Sequence, residues 1–172
     1  AQLTPDTSLG AESSVVNPNV VDGIDLITGG ATRGSNLFHS FQDFNVDAGR
    51  GAYFSNPTGI TDILTRVTGG NRSNIQGTLG VLGNANLFLI NPNGIDFGPN
   101  ASLDLRGGSF FGSTADSVLF DNFEFSASNP QPVPQLTINI PIGLRFRDNP
   151  GSITSQSVVR NINGDFFGLI VE

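Results

Sequence analysis

An all-β fold is predicted, and within that class a β-solenoid that winds short strands and turns around a single core. Three observations predict it. Between Thr78 and Gly112 an apolar pair at positions i and i+2 returns every eight residues, as Leu79/Val81, Leu87/Leu89, Ile95/Phe97 and Leu103/Leu105. Alternation inside each pair marks a strand, because successive side chains of an extended backbone point to opposite faces. The residues between pairs are Gly, Asn and Pro, which bend or reverse the chain within a few positions. Eight residues hold one strand and one turn and leave no room for a helix. Helix signals are sparse elsewhere too: 22 Gly and 10 Pro in 172 residues interrupt nearly every window of 3.6-residue periodicity. Three eight-residue faces give a coil of about 24 residues, within the span of known repeat periods.

The elements follow in order. Residues 1–35 hold short extended pieces, Ser14-Val15-Val16 and Gly23-Ile24-Asp25-Leu26-Ile27, between Asn-Pro and Gly-Gly turns, and are expected to cap the first coil. Coils are expected over 36–125. In their first segment, Asn36 to Val46, Phe38, Phe44 and Val46 share one strand parity and Phe41 has the other, so the segment bends or has both faces covered. Two strands between Ala52 and Val67 flank the turn Asn56-Pro57-Thr58-Gly59. Ser113–Asp121 reads as a helical turn or, through Val118-Leu119-Phe120, as a strand. Residues 126–150 read as an excursion: a stiff connector, Asn129-Pro130-Gln131-Pro132-Val133-Pro134, precedes Leu136–Ile140 and Ile142–Phe146, which alternate around Pro141 as edge strands do. Ser152–Ser155 and Phe166–Val171 resume the coils over 151–172. The last run carries no polar cap, and an open solenoid end is an aggregation edge, so the natural chain is expected to continue past Glu172. The start at Ala1 looks like a mature terminus after signal removal or a cloning boundary.

Composition narrows the function. The chain is long enough for a core without cross-links. Formal charge is −7, with eight Arg and no Lys, which argues against nucleic acid and against anionic membrane surfaces as partners. With no Cys, disulfides, Cys-ligated zinc and thiol catalysis are excluded. No apolar run is long enough for a transmembrane helix. No cofactor is expected.

Candidate chemistry is thin. His39 is the one histidine; Ser40 and Asp43 lie nearby, but adjacency in sequence does not assemble a triad, and His39 reads as a hydrogen-bonded structural residue. No metal-ligand spacing occurs. Asp96 and Asp104 occupy the outward position between two inward residues on successive repeats. Glycosidic chemistry needs two carboxyls about 5–10 Å apart across a cleft. With no Trp, one Tyr and no Lys to serve such a cleft, the two Asp read as solvated surface groups. The sharpest local motif is Asn91-Pro92-Asn93-Gly94-Ile95. Pro suits the second position of a type I turn, Asn bonds its own backbone, and Gly tolerates positive φ. Turn chemistry alone explains these residue types; a recognition role requires Asn91 or Asn93 to project outward as well.

Asn36-Leu37-Phe38-His39-Ser40-Phe41, Phe44-Asn45-Val46, Asn56-Pro57, Asn71–Leu79 and Asn91–Ile95, in this order and spacing, resemble the two-partner secretion domain. That domain is the N-terminal module of filamentous-haemagglutinin-like exoproteins, and the style of the sequence is similar to cyanobacterial members. The resemblance implies a right-handed parallel β-helix with an N-terminal cap and extra-helical antiparallel strands. It implies a secreted or surface protein that passes the periplasm, where POTRA modules of an outer-membrane β-barrel (TpsB-type) transporter recognise it, and no catalytic activity. A monomer is expected. The family motif residues map onto Asn36, Phe38, His39, Phe41 and Phe44, and the Asn-Pro motifs onto Asn91–Ile95 and Asn56-Pro57. The first Asn-Pro motif departs from the family pattern, with Thr58 and Gly59 in place of Asn and Leu, which keeps the turn chemistry. The alternative, from another class, is a carbohydrate-binding or polysaccharide-degrading β-helix.

Overall fold

A computed structural model describes residues 3–135, 143–147 and 149–155. The strands run β1 (Leu3–Pro5), β2 (Ser14–Val21), β3 (Ile24–Gly29), β4 (Ala31–Arg33), β5 (Asn36–Phe44), β6 (Gly51–Phe54), β7 (Asp62–Val67), β8 (Ser73–Ile75) and β9 (Thr78–Val81). They continue as β10 (Asn86–Ile90), β11 (Ile95–Phe97), β12 (Ser102–Leu105), β13 (Phe110–Ser113), β14 (Ser117–Leu119), β15 (Glu124–Ser126), β16 (Gly143–Arg145) and β17 (Ile153–Ser155). The only helical turn among the described residues is a 3-10 turn at Gly10–Glu12.

The strands stack as a β-solenoid of about four turns with three parallel faces. One face is β5-β7-β10-β13, the second β3-β6-β9-β12 and the third β8-β11-β17. The eight-residue beat is the passage from face to face: Leu79/Val81 lie on the second, Leu87/Leu89 on the first, Ile95/Phe97 on the third, and Leu103/Leu105 return to the second. Leu79 pairs with Leu103 and Ile63 with Leu87, both twenty-four residues apart. Elsewhere the coil adapts, from Ser73 under Ile95 to Gly51 over Thr78.

Inward residues form columns along the axis. Ile27, Phe54, Val81 and Leu105 make one, and Leu37, Ile63, Leu87 and Phe110 another, all buried in a single core. Such columns follow from the pleat, since in-register parallel pairing sets like phases above one another. On the outward side of the second face Tyr53 lies flat over Gly80, where a Cβ would sit 2.4 Å from the ring, and its hydroxyl donates to Asp104 Oδ2 at 2.6 Å. Glycine at position 80 lets one ring cross a whole rung.

The N-terminal end is closed by antiparallel strands. β1 and β4 both pair with β5, and β2 pairs with β3, which is itself the first parallel strand of the second face. The register of β1 on β5 slips between Thr4 and Pro5, and this bulge resolves the mixed parity of the Phe-rich segment. Leu37 and Phe41 point inward before it, and Phe44 points inward after it. β2 is the edge strand of its sheet. Pro18, with no N–H, Asn19 at a positive φ of 52° and a register slip between Asn17 and Val21 blunt that edge against further pairing.

The outward face of β5, β7 and β10 carries an apolar patch of its own, bordered by polar residues such as Ser40 and Arg66. Phe38, Leu64 and Ile90 join Leu9, Ala31, Val118, Phe120, Phe125, Ala127 and Val133 in a second, smaller core. An antiparallel sheet ordered β15-β14-β16 supplies much of this cover, so Val118 lies in a strand that already belongs to it. β17 then pairs in parallel with β11. Leu136–Ile140 and Phe166–Val171 lie outside the described residues.

Truncating the buried Phe97 to Ala is expected to cost about 3–5 kcal/mol through lost burial and the cavity left behind. Leu82→Ala, at an exposed loop position, should stay within about 0.5 kcal/mol. Urea unfolding followed by far-ultraviolet circular dichroism separates the two.

Candidate functional site

The Asn91–Ile95 corner joins the first face to the third. Gly94 N–H donates to the Asn91 carbonyl at 3.0 Å, closing a turn with Pro92 in its second position. The Asn93 N–H donates to Asn91 Oδ1 at 3.0 Å, so the side chain braces the same turn. Asn91 is fully buried, and its amide donates to the Asn71 carbonyl and to Ser73 Oγ, both at 3.0 Å, on the rung below. Asn93 is half-buried and donates to the Gly69 carbonyl at 2.8 Å. Gly94 sits at φ 120°, and a Cβ there would lie 2.1 Å from Arg72 Nη1. Gly94 O and Ile95 N–H then bond Ser73 and Ser152, tying the corner to the rungs on either side.

Two cations brace this corner's carbonyls and the Asp96 carboxylate. Arg72 donates to the Asn93 and Ser152 carbonyls and makes a two-pronged pair with Asp96, at 2.8 and 2.7 Å. Arg147 donates to the Pro92 carbonyl at 2.8 Å and to Asn93 Oδ1 at 3.3 Å. The Arg72 guanidinium holds the Asp96 carboxyl below its ordinary range, with a smaller contribution from the Thr154 hydroxyl that also bonds it. Arg50, at another corner, pairs with Asp25 at 2.7 Å.

The Asn56 corner is built differently. Its closing bond runs from Ile60 N–H to the Pro57 carbonyl at 3.2 Å, so Pro57 opens the turn and Gly59, at φ 88°, takes its third position. The Asn56 amide donates to the Ile60 carbonyl at 3.1 Å, and its Oδ1 accepts the Ala85 N–H from the next coil at 3.0 Å. Thr58 and Gly59 thus retain a turn with its frame displaced by one residue relative to Asn91–Gly94.

Residues of the Phe-rich motif divide between the two cores. Asn36 opens β5 in a buried position opposite Asp62. Phe38 faces outward, edge-on to Phe120 and Phe125 at 5.6 and 4.8 Å. Phe41 packs edge-on to Phe44 at 5.1 Å, and Phe44 stacks on Phe54 at 5.9 Å. His39 points inward, fully buried, with Nδ1 2.8 Å from Ser14 Oγ. Burial in this apolar interior drives its pKa down to about 3. Ser40 points the other way and bonds Asp6, Ser8 and Arg66, while Asp43 accepts from Asn71, so no Ser–His–Asp arrangement forms.

Asp96 and Asp104 are outward-facing but not freely solvated, because in-register stacking brings each against a partner from an earlier coil. Asp96 is held by Arg72, and Asp104, 9% exposed, by the Tyr53 hydroxyl. Burial, reinforced by Asp104, raises the Tyr53 pKa to about 12. Among the described residues no group of three or more His, Cys, Asp or Glu is placed to hold a metal.

Two buried arginines escaped the sequence reading. Arg66, on the outward side of β7, is fully buried. It donates to Ser40 Oγ at 2.9 Å, Ser8 Oγ at 2.8 Å and the Gln131 carbonyl at 3.0 Å, and lies 4.6 Å from the centre of the Phe125 ring. Burial lowers its pKa to about 10, still well above neutrality, with Asp6 acting in the opposite sense. Asp6 is itself partly buried, yet hydrogen bonds from Ser8, Thr68 and Ser40 outweigh that burial and keep its pKa low. Arg33, 6% exposed, makes a two-pronged pair with Glu12 at 2.8 and 2.6 Å and donates to the Pro134 and Val133 carbonyls at 2.7 and 3.0 Å. The one available signal was a cation inside the apolar strand Asp62–Val67.

Asn91→Ala removes bonds to three backbone or hydroxyl groups and should lower stability by about 1–3 kcal/mol in urea unfolding. His39 predicts acid sensitivity. Its folded pKa lies below the ordinary 6.5, so between pH 6.5 and about 3 the unfolded chain binds a proton that the folded chain refuses. Its contribution is therefore intact above pH 6.5 and shrinks as pH falls, with a slope approaching about 1.4 kcal/mol per pH unit. The urea midpoint of the unmodified chain should fall further between pH 7.5 and 4.5 than that of His39→Gln.

No curated protein matches the chain. The family model for the TPS secretion domain matches residues 1–167, and the chain belongs to that family.

Proposed function

We propose that this chain is the secretion-targeting module of a large exoprotein, and that its folding starts the stacking of β-helical coils on export. POTRA modules of the cognate outer-membrane β-barrel transporter engage it in the periplasm, and the product reaches the medium or cell surface. The observation that carries this reading is membership of the TPS secretion domain family, a secretion family and not an enzyme family, over nearly the whole chain. The fold supports it, because each coil buries its apolar columns only against its neighbours and an added coil extends the same core. The chain acts without catalysis in this reading: Asp96 and Asp104 are engaged by Arg72 and Tyr53, and His39 is sealed inside.

The Asn91–Ile95 corner, with Asn56 and Pro57, is the element we assign to transporter engagement. Asn91 is inaccessible once folded, so its side chain is offered to a partner in the extended chain. Asn36, Phe38, His39, Phe41 and Phe44 serve the folding that follows.

The test expresses the chain behind a signal peptide, with and without a candidate partner barrel of the outer membrane. The chain is expected in the medium only with the barrel; retention in the periplasm in both cases rejects the secretion reading. Asn91→Ala and Asn93→Ala should lower export. Unchanged export by variants that still fold would reduce the corner to a turn.

A further inference from the structure

We propose that Arg33 and Arg66 lock the N-terminal cap to the Pro-rich connector, so that neither folds without the other and the domain closes only when residues 131–134 reach the outward side of the first face. Four observations converge. Arg66 takes acceptors from Ser8 in the cap, Ser40 in the first coil and Gln131 in the connector. Arg33 takes Glu12 from the cap and the Val133 and Pro134 carbonyls from the connector. These bonds cross 65, 100 and 101 residues of chain at Gln131, Val133 and Pro134. Both guanidiniums are buried, so each acceptor lost leaves a donor that water does not reach.

The apolar surface beneath agrees. Outward residues of a solenoid face are ordinarily polar, yet Phe38, Leu64 and Ile90 are buried against Leu9 from the cap and Phe120, Phe125 and Val133 from the later segment. Without the connector the cap would close over half a core and two incompletely paired charges. Without the cap, Arg33 itself is missing and the connector meets an Arg66 that lacks Ser8. A simple solenoid gains stability coil by coil. Here the cap and the connector are joined into one cooperative unit. During passage through a transporter, such a chain stays open until its cap and residues 131–134 are on the same side of the membrane. That consequence rests on the secretion reading; the coupling itself does not.

Native-state hydrogen exchange of the full chain at low urea concentrations tests the coupling without any transporter. The cap amides of Asp6, Glu12 and Gly30 and the Ala127 amide beside the connector are each hydrogen-bonded within the fold. Their opening free energies should merge into one urea dependence, as for a single cooperative unit. Separate dependences, with either group opening while the other stays protected, would overturn the proposal. Val133→Ala, remote in sequence from the cap, should accelerate exchange of the cap amides by the same factor as the Ala127 amide; acceleration at Ala127 alone overturns it. Arg33→Met and Arg66→Met should each split the shared dependence in two. A transition that stays single in both variants would remove the arginines from the mechanism.

Discussion

In-register stacking of successive coils is the constraint on which the rest of the structure depends. A parallel rung places residue on residue, so an inward leucine needs an inward apolar neighbour about one coil away, and an outward carboxylate needs a partner one or two coils away. The first requirement produces the columns through Ile27, Phe54, Val81 and Leu105 and through Leu37, Ile63, Leu87 and Phe110. The second produces the Arg72–Asp96 pair and the Tyr53–Asp104 bond over Gly80. Corners must then hold their height to within a hydrogen bond. Asn91 and Asn56 do so by bonding both their own turn and a neighbouring coil.

Where the outward side of a face is apolar, stacking alone leaves it exposed. The first face meets this with a cover drawn from before and after the coils it hides: Leu9 from the cap, Phe120 and Phe125 from the antiparallel sheet, and Val133 from the connector. A Pro-rich connector has carbonyls in excess of N–H donors. Arginine answers that imbalance well, since its guanidinium presents five donors and remains charged under partial burial. An acidic chain without lysine thereby uses its few cations as internal fasteners, at Arg33, Arg66, Arg72 and Arg147.

How much of this was legible in the sequence follows from the range of the forces involved. The eight-residue beat was readable because period and turn chemistry are local, and it gave the fold class, the three faces and the coil length of the region around Leu79–Leu105. The chemistry of the Asn91 turn was readable for the same reason. The family motif located Asn36–Phe44, but its two-faced burial was seen only as an ambiguity of parity, which the bulge opposite Thr4 and Pro5 resolves. Arg33 and Arg66 were not legible. Their partners lie 21 to 101 residues away, and the one local hint, a cation inside the apolar strand Asp62–Val67, concerns Arg66 alone. Asp96 and Asp104 were misjudged as solvated on the same account, since their partners sit one or two coils earlier.

The Asn91 corner shows why a motif cannot be sorted into structure or recognition by residue type. Its side chain is committed inside the fold, with the Oδ1 on its own turn and the amide on Asn71 and Ser73. A partner meeting the folded domain therefore touches Asn93 or the arginines around it rather than Asn91. A partner that reads Asn91 meets a chain in which these bonds are not yet made. Binding there competes with folding, because the same amide cannot serve both. A transporter that engaged this segment would hold the corner open, and release would let it close on Ser73. If the cap and the connector also close together, the corner sits between two segments that must both arrive before the stack is sealed. In that order of events the turn motif and the recognition motif are one set of atoms used at two times.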